Sequence, residues 1–225
     1  ALNKSANAIE KQSYEKLIGM RDVKKTQIEN FFNERQGDIA VLTENVAVLR
    51  QEAFEKLKAV QQLKKRQVED YFSERFGDIS VLSKNDFVTQ ALQEFSQAFL
   101  QAGDSVSSEQ WSKTENEYGK WLTTYQEEYG YYDLFLINNQ GDIVYSTCQE
   151  SDLGQNLVDG KLNTSSLAKC FNKALKEPAI ADFEPYAPSG GDQAAFIGAP
   201  VKSDGQTIGA IALQLPTGPI NNIVQ

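Results

Sequence analysis

The sequence predicts an α+β protein: a long N-terminal helical stalk followed by an antiparallel five-stranded sheet with one helix between its strands. Three observations predict it. A 32-residue phrase recurs at a distance of 40 residues within the first 85. An apolar stripe runs through both copies. From residue 129 onward the chain reads as a hairpin, a helix and three further strands, each bounded by turn residues.

The stalk rests on the repeat. YEKLIGMRDVKKTQIENFFNERQGDIAVLTEN, from Tyr14, recurs as FEKLKAVQQLKKRQVEDYFSERFGDISVLSKN, from Phe54, with half the positions identical. Forty residues at about 3.6 per turn is close to eleven turns, so in one continuous helix both copies face nearly the same direction. Leu57, Val60, Val68, Tyr71, Ile79 and Leu82 recur in steps that sum to eleven. Ile28, Phe31, Ile39, Leu42, Val46, Leu49 and Ala53 follow a related rhythm, and an eleven-residue period keeps a helix nearly straight. The simplest reading is one rod of about 80 residues, roughly 120 Å long. The alternative is an antiparallel helix pair turning between Thr43 and Ala47, where Asn45 is the one turn residue. Gly37 and Gly77, each in an Arg-x-Gly-Asp setting, cost about 1 kcal/mol apiece inside a helix. They read as tolerated small residues or as a bend or close helix contact. The Lys24-Lys25 and Lys64-Lys65 pairs lie among Glu29, Glu34, Glu69 and Glu74, a mixed-charge solvated face rather than a phosphate site.

After Asn85 a second helix is expected, capped by Asp86, carrying Phe87, Ala91, Leu92, Phe95 and Phe99, and ending at Gly103. A third opens on a capping box of Ser107 and Gln110, and its stripe of Trp111, Tyr118, Leu122, Tyr125 and Tyr129 reads as core. In FLINNQGDIVY two strand-forming runs flank Asn139 and Gly141, which tolerate the positive φ of a tight hairpin. Later strands are expected over 179–186, 194–201 and 207–215, punctuated by Pro188, Gly190, Gly191 and the Ser203-Asp204-Gly205 turn. Five short strands around one intervening helix is a PAS-like order. The expected divisions are 1–53 for the stalk with the first copy, 54–128 for the second copy with the connecting helices, and 129–225 for the sheet core.

Several phrases of that core agree with one family. YYDLFLINNQGDIVYST, SDLGQNL, DFEPYAPSGG, AAFIGAPV, IGAIALQL and INNIV, in the run from Tyr129 to Val224, resemble the extracytoplasmic Cache domain of bacterial methyl-accepting chemotaxis receptors and related membrane-bound sensor kinases and cyclases. The resemblance implies a PAS-like Cache core sensing a small molecule in the periplasm, tethered to the inner membrane in the full-length protein. It also implies a parallel homodimer through the long helix, and signal transduction by a ligand-induced helix shift passed across the membrane. A histidine kinase or diguanylate cyclase output is the alternative within the same fold. A ligandless helical scaffold that binds a partner is the alternative of a different class. INNIVQ is also where a second module often begins.

Charge and composition narrow the function. Residues 1–85 hold 15 Lys/Arg against 13 Asp/Glu, whereas residues 86–225 hold 7 Lys against 18 Asp/Glu, a net of −11. With no arginine after Arg75, the cationic field that nucleic-acid binding requires is missing. The longest apolar stretches, Phe196 to Val201 and Ile208 to Leu213, are strand-sized and far short of the roughly 20 residues of a spanning helix. Ala1 to Glu10 lacks the basic start and apolar core of a signal peptide, so the chain reads as an excised segment.

An enzyme is not expected, nor any cofactor. The chain has no histidine, and no nucleophile elbow, phosphate loop or dinucleotide fingerprint occurs. Two cysteines without histidine make metal binding implausible. Cys148 and Cys170, 22 residues apart, form either a disulfide or two buried thiols.

The candidate ligand-binding residues lie on the strands. Asp182, Glu184 and Tyr186 share one face by alternation while Phe183 points to the other. Tyr131, Asp133, Phe135 and Tyr145 from the hairpin and Phe196 from the fourth strand are the aromatic and acidic groups nearest that wall, and Gly198, Gly209, Ala210 and Ala212 leave room. A carboxylate among aromatics, Asp182 above all, suits a cationic or amine-bearing ligand. Many amino-acid-binding Cache sensors carry a Tyr-x-Arg-x-Trp motif that is absent here. A neutral, aromatic or cationic small molecule is therefore favoured over a carboxylate.

Overall fold

A computed structural model describes residues 2–225, with side chains from Ser5 onward. The order of elements is α1 (Leu2–Leu82), α2 (Asp86–Gln101), α3 (Glu109–Glu128), β1 (Asp133–Asn138), β2 (Ile143–Ser146), α4 (Ser166–Ala174), β3 (Ala179–Pro185), β4 (Gln193–Ser203), β5 (Gln206–Leu215) and α5 (Thr217–Val224). The repeat forms one continuous helix of 81 residues, so the antiparallel helix pair is not adopted. Neither glycine of the Arg-x-Gly-Asp settings marks a packing contact, since a Cβ at Gly37 or Gly77 would meet nothing within 4 Å.

By its internal contacts the chain divides into two units, Ala1–Leu63 and Lys64–Gln225. In the first, every described side chain is exposed, including Phe31, Ile39, Leu42 and Leu49 of the predicted stripe. In the second, the end of α1 joins a core: Ile79 and Leu82 are buried in one cluster with residues of α2 and α3, and Tyr71 is buried as well.

The sheet has the order β2-β1-β5-β4-β3, antiparallel throughout. β5 sits in the centre because IGAIALQL carries no charge and is covered on both faces. On one face α2, α3 and the end of α1 bury Leu92, Phe95, Trp111, Tyr118, Leu134, Leu136, Ile211 and Leu213. On the other, α4 lays Leu167, Cys170 and Phe171 against Phe135, Phe196, Ala210 and Ala212. The small residues at the sheet centre serve this second layer. A Cβ on Gly198 would stand 3.1 Å from both the Ala174 Cβ and the Cys170 Sγ, so the space they leave is filled by α4.

Caps differ from expectation by one residue at two helices. Asn85, not Asp86, caps α2, its side chain accepting from the Phe87 amide at 2.8 Å. Ser108, not Ser107, caps α3, accepting from the Trp111 amide at 3.1 Å. In both cases neighbouring residues offer the same chemistry, and the phase that buries the apolar stripe selects between them. In the hairpin turn Gly141 takes the predicted positive φ, at 92°, whereas Asn139 does not, and it is the Asn138 carboxamide that closes the turn by accepting from the Gln140 and Asp142 amides. Of the two alternatives for the cysteines, the structure has free thiols rather than a disulfide, though only one of them is buried. Cys170 is buried beneath α4 with its thiol toward the Ala179 carbonyl, whereas Cys148 is exposed with its thiol on the Tyr132 carbonyl.

Candidate functional site

The seven sequence-predicted site residues do not converge on one cavity. Phe135, Tyr186 and Phe196 meet on the α4 face, with Phe196 4.9 Å from the Tyr186 ring and 5.9 Å from Phe135. Tyr145 pairs with Leu136 and faces the opposite layer, 4.6 Å from Phe95. Tyr131 lies in that same layer. Its hydroxyl donates to Asp78 Oδ2 at 2.7 Å, and the Arg75 guanidinium stacks over its ring at 5.3 Å. Burial and the Asp78 hydrogen bond together push the Tyr131 phenol well above its ordinary range.

The two acids have different environments from those expected. Asp133 is fully buried at the start of β1, and its carboxylate accepts from the amides of Leu134, Thr147 and Cys148 and from the hydroxyls of Ser146 and Thr147. Burial raises its pKa against the pull of those bonds. Its acceptor capacity is spent on tying β1 to the end of β2. Asp182 is exposed and accepts only from its neighbour, the Phe183 amide. The cause is a β-bulge between Ala181 and Glu184, where β3 slips against β4. Strict alternation fails there: Ala181 and Tyr186 pack toward α4, Phe183 packs toward the other layer, and Asp182 is set outside both.

The open space lies at the end of the sheet where β5 finishes. A groove of about 630 Å³ is bounded by Tyr132 before β1, Phe183 in the bulge, Ser189 and Asp192 in the β3–β4 turn, and the run from Gln214 to Asn221 that enters α5. None of the seven expected residues lines it, although Tyr132 and Phe183 are immediate neighbours of three of them. Asp192 is the one charged side chain on the wall.

Gln214 gives the groove its chemistry. It sits on β5 between Asp133 and Phe196 in register and is 3% exposed. Its Nε2 donates to Ser189 Oγ at 3.2 Å, Ser189 Oγ donates to Glu150 Oε2 at 2.9 Å, and the Tyr132 hydroxyl donates to Glu150 Oε1 at 2.8 Å. A carboxylate only accepts, so the single Ser189 proton goes to Glu150 and the Gln214 amide must present its nitrogen to Ser189. The carbonyl Oε1 is left buried with no partner among the described residues. An orphaned buried acceptor of this kind is costly.

Behind this row lies a second buried acid that sequence reasoning missed. Asp152 is fully buried, accepts from the Tyr186 hydroxyl at 2.8 Å through Oδ2, and leaves Oδ1 unpaired. Burial pushes its pKa up to about 6, while the Tyr186 bond pulls the other way. The signal for Gln214 was present in IGAIALQL as the one polar side chain in phase with Ala210 and Ala212. Asp152, in a loop, gave none.

No family model matches the chain, and no curated protein matches it. Solved structures do. The sensor domain of the V. cholerae histidine kinase DctB superposes with a TM-score of 0.60 at 16% identity, over 78% of this chain and 60% of that one. The sensory domain of the Campylobacter jejuni chemoreceptor Tlp3 (CcmL), solved with isoleucine bound, gives 0.50 at 18% identity, over 79% of this chain and 65% of that one. The same chemoreceptor's ligand-binding domain in complex with L-valine gives the same values. The chain thus spans less than two thirds of the length of the sensor domains it matches. At these identities the likeness establishes the fold alone: this chain shares the α+β architecture of those sensor domains, a long N-terminal helix followed by a five-stranded antiparallel sheet.

Proposed function

We propose that the chain is the extracytoplasmic small-molecule sensing domain of a bacterial transmembrane chemotaxis receptor, and that its ligand enters the groove at the end of β5. The observation that carries this reading is the buried, unpartnered Gln214 carbonyl on a wall that α5 completes. A ligand donor bonded there would touch both the sheet and the segment leading out of it, so occupancy and the position of α5 are linked. The fold shared with sensor domains of a chemoreceptor and a histidine kinase supports sensing rather than catalysis.

The wall favours a neutral or cationic ligand with an apolar body. Phe183, Leu215, Pro216 and Ile220 supply apolar surface, Asp192 and Gln214 supply acceptors, and no lysine or arginine lines the groove. Tyr186 and Phe196 lie behind Gln214 and support it from within, and the 129–225 segment is the sensing core. The exposed apolar side chains of residues 5–63 support a homodimer formed through α1. The likeness to DctB favours a histidine kinase output as the second reading.

A thermal-shift screen of amines, amides, amino acids and organic acids, run on the wild type and on Gln214→Leu, tests the proposal. A ligand at about 100 times its dissociation constant adds roughly 2.7 kcal/mol, several degrees in melting temperature. The expected result is a shift with amine or amide donors that Gln214→Leu abolishes. A shift confined to organic acids, or one unchanged in the variant, overturns it.

A further inference from the structure

The opposite end of the sheet carries a second concave site of opposite character. Ser80, Ser83 and Lys84 at the end of α1, Lys176, Glu177 and Pro178 between α4 and β3, and Pro200 and Lys202 on β4 enclose about 410 Å³. Lys202 is nine residues along β4 from Gln193 on the groove wall, about 30 Å at 3.3 Å per residue.

Three lysines line this site, and among the described residues no carboxylate comes within 4.0 Å of Lys84, Lys176 or Lys202. By contrast, Lys169 is held by Glu184 at 2.6 Å. Cations are the scarce charge in this half of the chain: residues 86–225 hold 7 Lys against 18 Asp/Glu, yet two of those seven lie on this one site. Helix termini account for part of the arrangement. Lys84 and Lys176 each stand two residues past the ends of α1 and α4, where a cation complements the exposed carbonyls. Lys202 belongs to no helix, and the dipoles do not explain its presence on the same wall.

We infer that this site binds a compact polyanion, a small molecule with two or more anionic oxygens such as inorganic phosphate or a dicarboxylate. Three ammoniums around a concavity repel one another and concentrate anions from solution. The Ser80 hydroxyl supplies a neutral donor beside them, whereas the Ser83 hydroxyl donates to the Ser80 carbonyl at 3.3 Å. Glu177 is the one opposing charge on the wall and holds the affinity down. The site stands apart from the β5 groove, and the inference survives failure of the amine screen.

The test is titration of the full chain with inorganic phosphate and with succinate at constant ionic strength, sodium chloride making up the balance, followed by melting temperature and calorimetry. Expected are a saturable rise in melting temperature with at least one of the two, a loss of affinity of tenfold or more in Lys202→Gln, and a several-fold gain in Glu177→Gln. A distant surface substitution, Lys113→Gln, leaves the response as in the wild type. Equal unliganded melting temperatures confirm that the variants fold. Two results overturn the inference: phosphate and succinate doing no more than chloride at matched ionic strength, or Lys202→Gln responding as the wild type does. The first would leave an acidic protein surface as the alternative occupant.

Discussion

Ile39 and Ile79 occupy the same place in two copies of one phrase, each following Gly-Asp, yet Ile39 is 62% exposed and Ile79 is fully buried. The contrast extends along the repeat. Phe31, Arg35, Asp38 and Leu42 lie on an exposed helix surface, whereas their counterparts have partners across the fold. Tyr71 and Leu82 are core, Arg75 stacks over Tyr71 and Tyr131, and Asp78 accepts from the Tyr131 hydroxyl. Both copies are helical, so local propensity is satisfied alike in each. The difference lies in the chain beyond each copy. Three residues after Leu82 the chain turns through Asn85 into α2 and folds back on the second copy, whereas the first copy runs on into more helix. A helix surface has no stabilising value until something covers it.

Paired substitutions measure that difference. Ile79→Ala opens a cavity among α2 and the sheet and is expected to cost about 2–5 kcal/mol, while Ile39→Ala stays within about 0.5 kcal/mol. Chemical denaturation, at a concentration where the chain is monomeric, reads both. Equal losses would mean that the first copy is also covered in the single chain. Next in size, Asp78→Ala strips the buried Tyr131 hydroxyl of its acceptor, an expected loss of about 1–3 kcal/mol, against about 0.5 kcal/mol or less for Asp38→Ala. A double-mutant cycle with Tyr131→Phe isolates the bond, and additivity in that cycle would refute it. The smallest effect should be the same in both copies. Gly37→Ala and Gly77→Ala each add a methyl that meets nothing within 4 Å, so each should raise stability by roughly 0.5–1 kcal/mol. A loss at either position would point to a contact absent from the single chain.

The same division between local and tertiary causes explains what the sequence disclosed. The stalk, the hairpin and the three later strands follow from periodicity and turn chemistry, which are properties of neighbouring residues. The bulge in β3 is invisible in ADFEPY because it arises from how that strand pairs with β4. It was this bulge that placed Asp182 in solvent. Phe135, Tyr145 and Phe196 were recognisable as aromatics on strands, but aromatics on a sheet covered on both faces fill layers rather than line cavities. The groove was hidden for a different reason. Its walls come from the ends of elements, at Tyr132, Ser189 and Pro216, and only the fold brings those ends together.

The row Gln214–Ser189–Glu150 has a direction. Each group hands its hydrogen to the next, and the row terminates on a carboxylate that can only receive. Which end of the Gln214 amide is left without a partner is therefore decided by Glu150, a residue outside the wall. Were that terminus a glutamine, the serine proton would be free to turn around, the amide could reverse, and the unpaired group beside the groove would be a donor where it is now an acceptor. The preference of such a site for amines or for acids would then be rewritten without changing a single atom that a ligand touches.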